Sequence, residues 1–491
     1  MEMSQSMAPS PMNVTKSAFL AGLECTRQGW LNLRAREDDR DSGLKFHLEQ
    51  GIAVGKEARK RFPGGKLLGR QSRSTRGALA AELTSARPGD VFFEAEFVSD
   101  HCIARPDILC RDKDGWHLIE VKSATSFKSE YVDDVAYTLI VVTDSGLPIS
   151  KVSLMVLNPE FELPGLEQDR FIQENITEQA RKRADTMRQQ RPGLVPKLLA
   201  DVPMVEQLIY ACKSCDYFGD SCFKNTMQSP IFNLPGINER QFKQILTSGH
   251  TEISTVPGSL LTSPKQQVTK KAILRNSPQI EKAALKQLLD EVRWPAHYLD
   301  FETCALAMPS VERVRPYEQL PVQYSLHVYS SPHRLERHEE FLAQPNEDNR
   351  DALCQRLLSQ VGRTGSIVVY SSFEKTILTK LAERMPHHRA ELDSLIERLF
   401  DLRRVFAEAV IHPACLGRES IKYTGPAFTN LTYDDLEIKN GFQAIAEFFR
   451  SGNPSLSSQE VARIRQSLLA YCKRDTEVMA ELHFAVLECL P

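Results

Sequence analysis

Short apolar runs alternate with polar turn residues in the first half of this chain. Runs at 91–98, 103–110 and 116–123 each have the length of a strand, and a polar turn at 111–115 separates the last two. Apolar runs bounded by turn residues predict β-strands, and two such runs joined by a short turn predict an antiparallel hairpin.

The second half of the chain alternates strand and helix patterns. Strands are predicted near 297–303, 323–329 and 366–370. Helices are predicted near 373–385, 388–410 and 458–488. This order predicts a mixed sheet flanked by helices.

The predicted fold class is therefore α/β, with more than one domain. A length of 491 residues suits two or three domains. We predict a first domain over 1–228, a short motif over 229–258, a linker over 259–285 and a second domain over 286–491. The linker is predicted because Ser, Thr, Lys and Gln dominate its first twenty or so residues.

Composition is that of an ordinary soluble protein, with 42% hydrophobic and 25% charged residues. A net charge of −3 gives no overall attraction to nucleic acid, so binding would depend on basic clusters at 181–191 and 265–275. The alternative for each cluster is a solvated helix face or a linker. No apolar run of 18 residues and no signal-peptide pattern is present, which predicts a cytoplasmic protein without a membrane span.

Acidic residues follow apolar runs at three places in the second half. Asp300 and Glu302 are two apart on a predicted strand, so they share a face. Glu374 lies in the first turn of a predicted helix, and Tyr471 and Asp475 are four apart on another helix, hence on one face. Clustered carboxylates repel one another unless a cation joins them, and these oxygen ligands suit Mg²⁺ or Mn²⁺.

This order of acidic residues resembles the DnaQ-like 3′–5′ exonucleases of ribonuclease H fold, the DEDD enzymes. The tyrosine four residues before the last aspartate resembles their tyrosine subclass. The resemblance implies that Asp300, Glu302, Glu374 and Asp475 hold two metal ions and that Tyr471 orients the attacking water. The family normally has aspartate where this chain has Glu374.

A second charged set lies on the predicted hairpin of the first half. Glu120 and Lys122 share a strand face, and Asp107 can lie opposite them on the partner strand. Two carboxylates could hold a metal, and the lysine could stabilise negative charge. Asp107 followed by Glu120-Val121-Lys122 resembles the RecB-like branch of the PD-(D/E)xK nucleases.

Four cysteines extend that resemblance. Cys212 and Cys215 form a C-x-x-C, Cys222 follows, and Cys25 lies near the start of the chain. One early cysteine and three later ones resemble the AddB-like iron–sulfur nucleases, in which a cluster joins the two ends of the domain. The resemblance implies a [4Fe–4S] cluster on these four residues, with zinc as the alternative. The other seven cysteines are scattered and are interpreted as packing residues.

A short apolar turn, Leu234-Pro235-Gly236-Ile237, precedes a predicted helix and resembles a helix–hairpin–helix motif. Such a motif offers backbone N–H groups to a phosphate without reading sequence. A plain loop before a helix is the alternative.

The chain as a whole resembles an uncharacterised bacterial family that joins a RecB-like, cysteine-cluster nuclease to a DnaQ-like exonuclease. We therefore expect a metal-dependent nuclease acting on DNA or RNA, with a 3′–5′ exonuclease site and a second, RecB-like site, in a setting such as DNA repair. The alternative from another class is a nucleic-acid-binding or scaffold protein with a degenerate RecB-like module.

Overall fold

The computed structural model describes residues 12–35, 42–69, 81–345 and 347–490, which form two compact units. The N-terminal unit holds the described residues up to 207, except 42–43, together with 306–318. The C-terminal unit holds 42–43, 208–305 and the described residues from 319 onward. Within the described residues, no helix combines the length and apolar character that crossing a bilayer requires.

The first part of the chain is an α/β arrangement. Its strands are β1 (Lys66–Leu67), β2 (Val91–Phe93), β3 (Phe97–Ser99), β4 (Cys102–Ala104), β5 (Ile108–Asp112), β6 (Gly115–Lys122), β7 (Ile149–Leu157) and β8 (Phe171–Asn175). Its helices are α1 (Lys16–Glu24), α2 (Thr26–Arg34), α3 (Ser42–Arg59), α4 (Ser129–Asp144) and α5 (Thr177–Leu199).

Six of these strands form one sheet in the order β1-β2-β5-β6-β7-β8. Strands β5 and β6 pair antiparallel across a turn, which confirms the predicted hairpin, and α4 connects β6 to the parallel β7. Except in β1, alternate residues of these strands enter two apolar clusters, for example Leu118 in one and Ile119 in the other. Glu120 and Lys122 continue the face of Leu118, where α4 packs.

The C-terminal unit is also mixed. Its strands are β9 (Gln279–Ile280), β10 (Ala296–Cys304), β11 (Leu320–Ser331), β12 (Arg334–Leu342), β13 (Ile367–Val369), β14 (Leu399–Asp401) and β15 (Val410–Ile411). Its helices are α6 (Glu239–Thr247), α7 (Pro264–Arg275), α8 (Lys282–Leu289), α9 (Arg350–Val361), α10 (Phe373–Arg384), α11 (Arg389–Ile396), α12 (Arg403–Glu408), α13 (Ile421–Phe428), α14 (Gly441–Arg450) and α15 (Ser458–Leu487).

The central sheet of this unit has the order β12-β11-β10-β13-β14. Strand β11 is antiparallel to β10, whereas β13 is parallel to β10 and β14 is parallel to β13. The predicted strands and the predicted helices at 373–385 and 458–488 are confirmed, and the sheet is mixed and flanked by helices. The long helix predicted near 388–410 is wrong, because its apolar middle pairs with β13 as β14.

The stretch 259–285 is not the linker that its polar composition predicted. It contains α7 and β9, and β9 pairs with β15. Gln266 of α7 is buried and exchanges two hydrogen bonds with the Gln241 side chain, at 2.8 and 3.0 Å. Its amide also bonds the backbone at Pro235 and Thr262. Polar side chains that form hydrogen bonds with one another can be buried in a folded domain. The polar composition of this stretch therefore did not distinguish a packed helix from a linker.

The segment 229–258 supplies the loop predicted to be a hairpin motif. A single 3-10 turn, Ile231–Asn233, precedes the loop and α6 follows it. Gly236 has φ 65, a left-handed conformation that favours glycine. The helix–hairpin–helix interpretation stays a prediction.

Replacing Gln266 by alanine should loosen the packing of α6 and α7. The change leaves buried partners unsatisfied, so we expect a loss of about 2–3 kcal/mol in local stability. Amide hydrogen exchange, measured by mass spectrometry on peptides covering 239–275, should become faster. Gln267→Ala is the matched control, since that residue is exposed and its loss should cost less than about 0.5 kcal/mol. Equal exchange in the two variants would contradict this account.

Candidate metal centres

The carboxyl end of β10 carries the first acidic pair. Leu299 and Phe301 are buried in one apolar cluster, while Tyr298 packs in another that includes residues of α15. Asp300 and Glu302 continue the face of Tyr298, because alternate residues of a strand point the same way. The sequence alternation therefore turns both carboxylates toward α15, which packs against β10.

Helix α15 brings the last aspartate to this pair. Carboxylate oxygens of Asp300, Glu302 and Asp475 all lie within 4.8 Å of one another. Asp475 is 8% exposed, and Tyr471, one turn earlier on the same helix, is 3% exposed. The structure thus brings Asp475 to a pair of residues that lie 175 and 173 positions earlier in the sequence.

Burial makes this grouping of like charges costly. It raises the pKa of Asp300 well above its usual range, and the neighbouring carboxylates of Asp475, Glu374 and Glu302 raise it further. Burial likewise raises the pKa of Glu302 to about 8 and that of Asp475 to about 6. Without a cation, this centre retains protons near neutral pH, and a metal ion would have to displace them.

Glu374 is the fourth predicted ligand. It lies in the first turn of α10, is 3% exposed, and its Oε2 atom has no hydrogen-bond partner. Burial raises its pKa to about 7, and the charges of Asp401 and Asp475 also raise it. Glu374 is not part of the 4.8 Å group, but its charge acts on Asp300, and its buried, unpartnered oxygen suits a further cation ligand.

Asp401 is a fifth carboxylate near this centre. It ends β14, is half-buried, and accepts a 2.9 Å hydrogen bond from the backbone N–H of Arg403. The helix predicted near 388–410 would place Asp401 on a helix, whereas residues 399–401 form a strand. Only two apolar residues directly precede Asp401 in the sequence, so no apolar run of strand length marked this position.

A lysine and two tyrosines border the carboxylates. Lys422 of α13 lies 3.4 Å from the Tyr471 hydroxyl, and its charge lowers the pKa of Glu302 and Asp475. The Tyr433 hydroxyl donates to Asp475 Oδ1. Burial and the charge of Asp475 raise the pKa of Tyr471, so this tyrosine stays protonated and can act as a hydrogen-bond donor. Sequence reasoning assigned no role to Lys422 or Tyr433.

Cys472 lies fully buried next to the same centre. Its Sγ atom is 3.7 Å from Asp300 Oδ2, a distance at which a thiol is a weak donor. Burial, with the charges of the nearby carboxylates, raises the pKa of this thiol well above its usual range, so it remains neutral. Its interpretation as a packing residue agrees with this burial.

The N-terminal unit brings its own predicted residues together. Asp107 lies just before β5 and accepts a 2.7 Å hydrogen bond from the backbone N–H of Val121 on β6. Lys122 lies 3.5 Å from Glu120 and forms an ion pair with Asp134 of α4. Asp107, Glu120 and Lys122 therefore form one charged group between adjacent strands.

Lys16 of α1 completes this group and was missed by sequence reasoning. It forms an ion pair with Glu120, whose other oxygen, Oε2, is buried without a hydrogen-bond partner. Burial raises the pKa of Asp107 to about 7, and the charge of Glu120 adds to this effect. An unsatisfied, buried carboxylate oxygen of Glu120 near the half-buried Asp107 fits a cation site that Lys16 partly neutralises.

The four predicted cluster ligands are divided between the two units. Cys25 lies between α1 and α2 in the N-terminal unit. The other three lie in the C-terminal unit, where Cys212 belongs to the 3-10 turn Tyr210–Ser214 and Cys222 closes a backbone turn with Gly219. All four are half-buried and form no disulfide. A cluster on these residues stays a prediction.

Residues 297–420 match the model of a family described as a domain of unknown function, DUF2779. An uncharacterised protein of Mycoplasma pneumoniae (strain ATCC 29342 / M129 / Subtype 1), the MG366 homolog, is 27% identical over 223 residues, covering 38% of this chain and 32% of the relative. The aligned segment thus spans about a third of that relative. No solved structure matches the chain.

The matched segment 297–420 contains Asp300, Glu302, Glu374 and Asp401 but ends before Lys422. The similarity to this family therefore covers the acidic residues of β10, α10 and β14, whereas Tyr471 and Asp475 of α15 lie outside the matched segment.

We predict that the metal-free protein loses stability as the pH rises. In the folded state the pKa of Glu302 is about 8 and that of Glu374 about 7, whereas glutamate in an unfolded chain titrates near 4.3. Between about pH 4.3 and 8 the folded state binds more protons, so unfolding becomes easier with increasing pH. Thermal unfolding in EDTA should therefore show a melting temperature that falls steadily from pH 5 to pH 8.

Glu302→Gln should flatten that dependence, and Mn²⁺ should restore the melting temperature of the unmodified protein at pH 8. The control Glu383→Gln changes an exposed residue of α10 and should leave the profile unchanged. A profile that Glu302→Gln does not alter would show that the carboxylate cluster is not its source.

Proposed function

We propose that this chain is a metal-dependent nuclease that cleaves phosphodiester bonds of nucleic acid, with a 3′–5′ exonuclease site in the C-terminal unit. The observation that carries the proposal is the convergence of Asp300, Glu302 and Asp475, with Glu374 beside them. The mixed sheet flanked by helices also agrees with the ribonuclease H-like fold that the resemblance implies.

The donor set fits hard divalent cations. Asp300, Glu302, Glu374 and Asp475 supply only carboxylate oxygens, which Mg²⁺ and Mn²⁺ prefer. When bound, a pair of such ions lowers the pKa of water and stabilises the attacking and leaving oxygens of a phosphodiester. The buried oxygen of Glu374 that lacks a partner supports such a role.

Tyr471 would orient the attacking water, as the resemblance implies. Its protonated hydroxyl can donate a hydrogen bond, and Lys422, at 3.4 Å, restricts where that hydroxyl lies. Tyr433 would act as a positioning residue, because its hydrogen bond fixes one oxygen of Asp475. These contacts hold the charged groups in place before substrate arrives, which is how such sites contribute to rate.

A second, RecB-like nuclease site in the N-terminal unit is part of the proposal. Asp107 and Glu120 would hold a metal ion, and Lys122 would stabilise negative charge on the phosphate. Lys16 would release Glu120 when the ion binds, because the ion replaces its charge.

One observation favours another role for this N-terminal site. Lys16 and Lys122 both form ion pairs with Glu120, and Lys122 forms a second ion pair with Asp134. The charges of this site are therefore largely balanced without a metal ion. A nucleic-acid-binding or scaffold module with a degenerate site is therefore the second candidate.

Cys25, Cys212, Cys215 and Cys222 are proposed to hold a [4Fe–4S] cluster, with zinc as the alternative. Thiolates suit both, and the role implied is structural. The substrate is proposed to be DNA or RNA, bound through local basic groups, since the net charge is only −3.

Tyr471→Phe should slow cleavage of a labelled single strand by roughly 10²–10⁴-fold, because it removes a hydroxyl that positions water. Mn²⁺ affinity, measured by calorimetry, should change little, since the tyrosine is not a proposed ligand. Tyr423→Phe, on the exposed face of α13, is the control and should retain full activity. Unchanged cleavage by Tyr471→Phe would mean that this residue only packs the helix.

The two proposed sites should fail independently. Asp300→Asn should abolish 3′–5′ cleavage, and Lys122→Ala should abolish only the N-terminal activity, across a panel of DNA and RNA substrates with Mn²⁺ and with EDTA. Exposed residues supply the controls Asp290→Asn and Lys128→Ala.

Loss of all cleavage with Asp300→Asn would favour the binding role for the N-terminal module. Loss of all cleavage with Lys122→Ala would instead contradict the assignment of the exonuclease site to the C-terminal unit.

A further inference from the structure

Two consecutive histidines and an aspartate meet on the surface of the C-terminal unit. Asp351 lies in the first turn of α9, and His387 and His388 lie in the 3-10 turn Pro386–His388 between α10 and α11. The Nε2 atoms of both histidines approach the same oxygen, Asp351 Oδ1, at 2.8 and 3.1 Å. The three ligand atoms lie within 4.8 Å of one another.

The spacing of these atoms is close to that of metal ligands. A tetrahedral ion with bonds of about 2.0–2.1 Å separates its ligand atoms by roughly 3.3 Å. Both nitrogen–oxygen distances therefore need to change by only a few tenths of an ångström. Side chains of adjacent residues in a helical turn normally point in different directions. Here the imidazole rings of His387 and His388 nevertheless both direct Nε2 toward the same oxygen of Asp351.

The carboxylate has the support that metal ligands usually have. Gln355, one turn further along α9, donates a 2.7 Å hydrogen bond to Asp351 Oδ2, the oxygen that the histidines leave free. Outer contacts of this kind fix the orientation of a ligand. His388 is 14% exposed, whereas Asp351 and His387 are more than half exposed, so an ion here would keep at least one position open to water.

We propose that Asp351, His387 and His388 bind one divalent transition-metal ion of the imidazole-preferring kind, with Zn²⁺ as the expected occupant. Two imidazoles and one carboxylate suit Zn²⁺, Co²⁺ or Ni²⁺, whereas Mg²⁺ prefers oxygen ligands alone. The ion would connect the start of α9 to the turn between α10 and α11.

This site is separate from the acidic centre. Helix α10 carries Glu374 in its first turn and ends at Arg384, just before the histidines. Its twelve residues span about 18 Å at 1.5 Å per residue, so one ion cannot serve both places. The proposal does not depend on the nuclease assignment, because its ligands and its metal preference differ.

The test is a Co²⁺ titration of the EDTA-treated full chain in saturating Mg²⁺, which occupies oxygen-only sites. We expect one Co²⁺ with weak visible bands of nitrogen and oxygen ligands, distinct from the intense near-ultraviolet bands of thiolate coordination. His387→Ala/His388→Ala should lose these bands, and Asp351→Asn should weaken binding at least tenfold. His333→Ala, another exposed histidine of the same unit, is the matched control and should bind like the unmodified chain.

Thermal unfolding provides a second readout that does not depend on activity. Zn²⁺ should raise the melting temperature of the unmodified chain and of His333→Ala by a few degrees, and should raise that of His387→Ala/His388→Ala less. The proposal would be overturned if His387→Ala/His388→Ala bound Co²⁺ as well as the unmodified chain does and showed the same rise in melting temperature with Zn²⁺. Equal losses in the double variant and in His333→Ala would overturn it as well.

Discussion

Like charges repel one another strongly when they leave water, and the C-terminal unit groups two buried and two half-buried carboxylates so closely that their pKa values rise. The fold holds them there because β10 is the central strand, α15 packs across it, and the apolar side chains around Asp300 and Glu302 fix both elements. Protons or cations must neutralise such a group. Lys422 and the Tyr433 hydroxyl stabilise only part of the negative charge of the carboxylates. A pair of divalent ions would neutralise the negative charge that is left.

The sequence predicted the residues whose position follows from periodicity. Asp300 and Glu302 share a face because a strand repeats every two residues, and Tyr471 and Asp475 share one because a helix brings positions four apart together. That these residues would come together in the fold was predicted from the resemblance to the exonucleases and from the order of strands and helices along the chain. Periodicity could not place Lys422 or Tyr433, since α13 packs on α15 and Tyr433, in the loop after α13, packs in a cluster with Leu468 and Tyr471.

Other differences have the same origin in tertiary contacts. A three-residue strand such as β14 is too short to show a period, so Asp401 was assigned to a helix. Gln266 was assigned to a linker because a polar side chain reveals nothing about a partner 25 residues away. Lys16 contacts Glu120 across 104 residues, a pairing that no local pattern contains. The hairpin of β5 and β6, by contrast, depends on adjacent residues and was predicted with its turn.

The central claim, that the acidic centre of the C-terminal unit holds two cations, is tested most directly by Mn²⁺ binding followed by electron paramagnetic resonance. The protein should carry Asp107→Asn, Glu120→Gln, His387→Ala and His388→Ala, so that only the acidic centre is measured. We expect two Mn²⁺ per chain, with the exchange-coupled signal of ions about 3.5–4 Å apart, and loss of that signal when Asp475→Asn is added. Isolated Mn²⁺ signals alone, or a coupled signal that survives Asp475→Asn, would contradict the account.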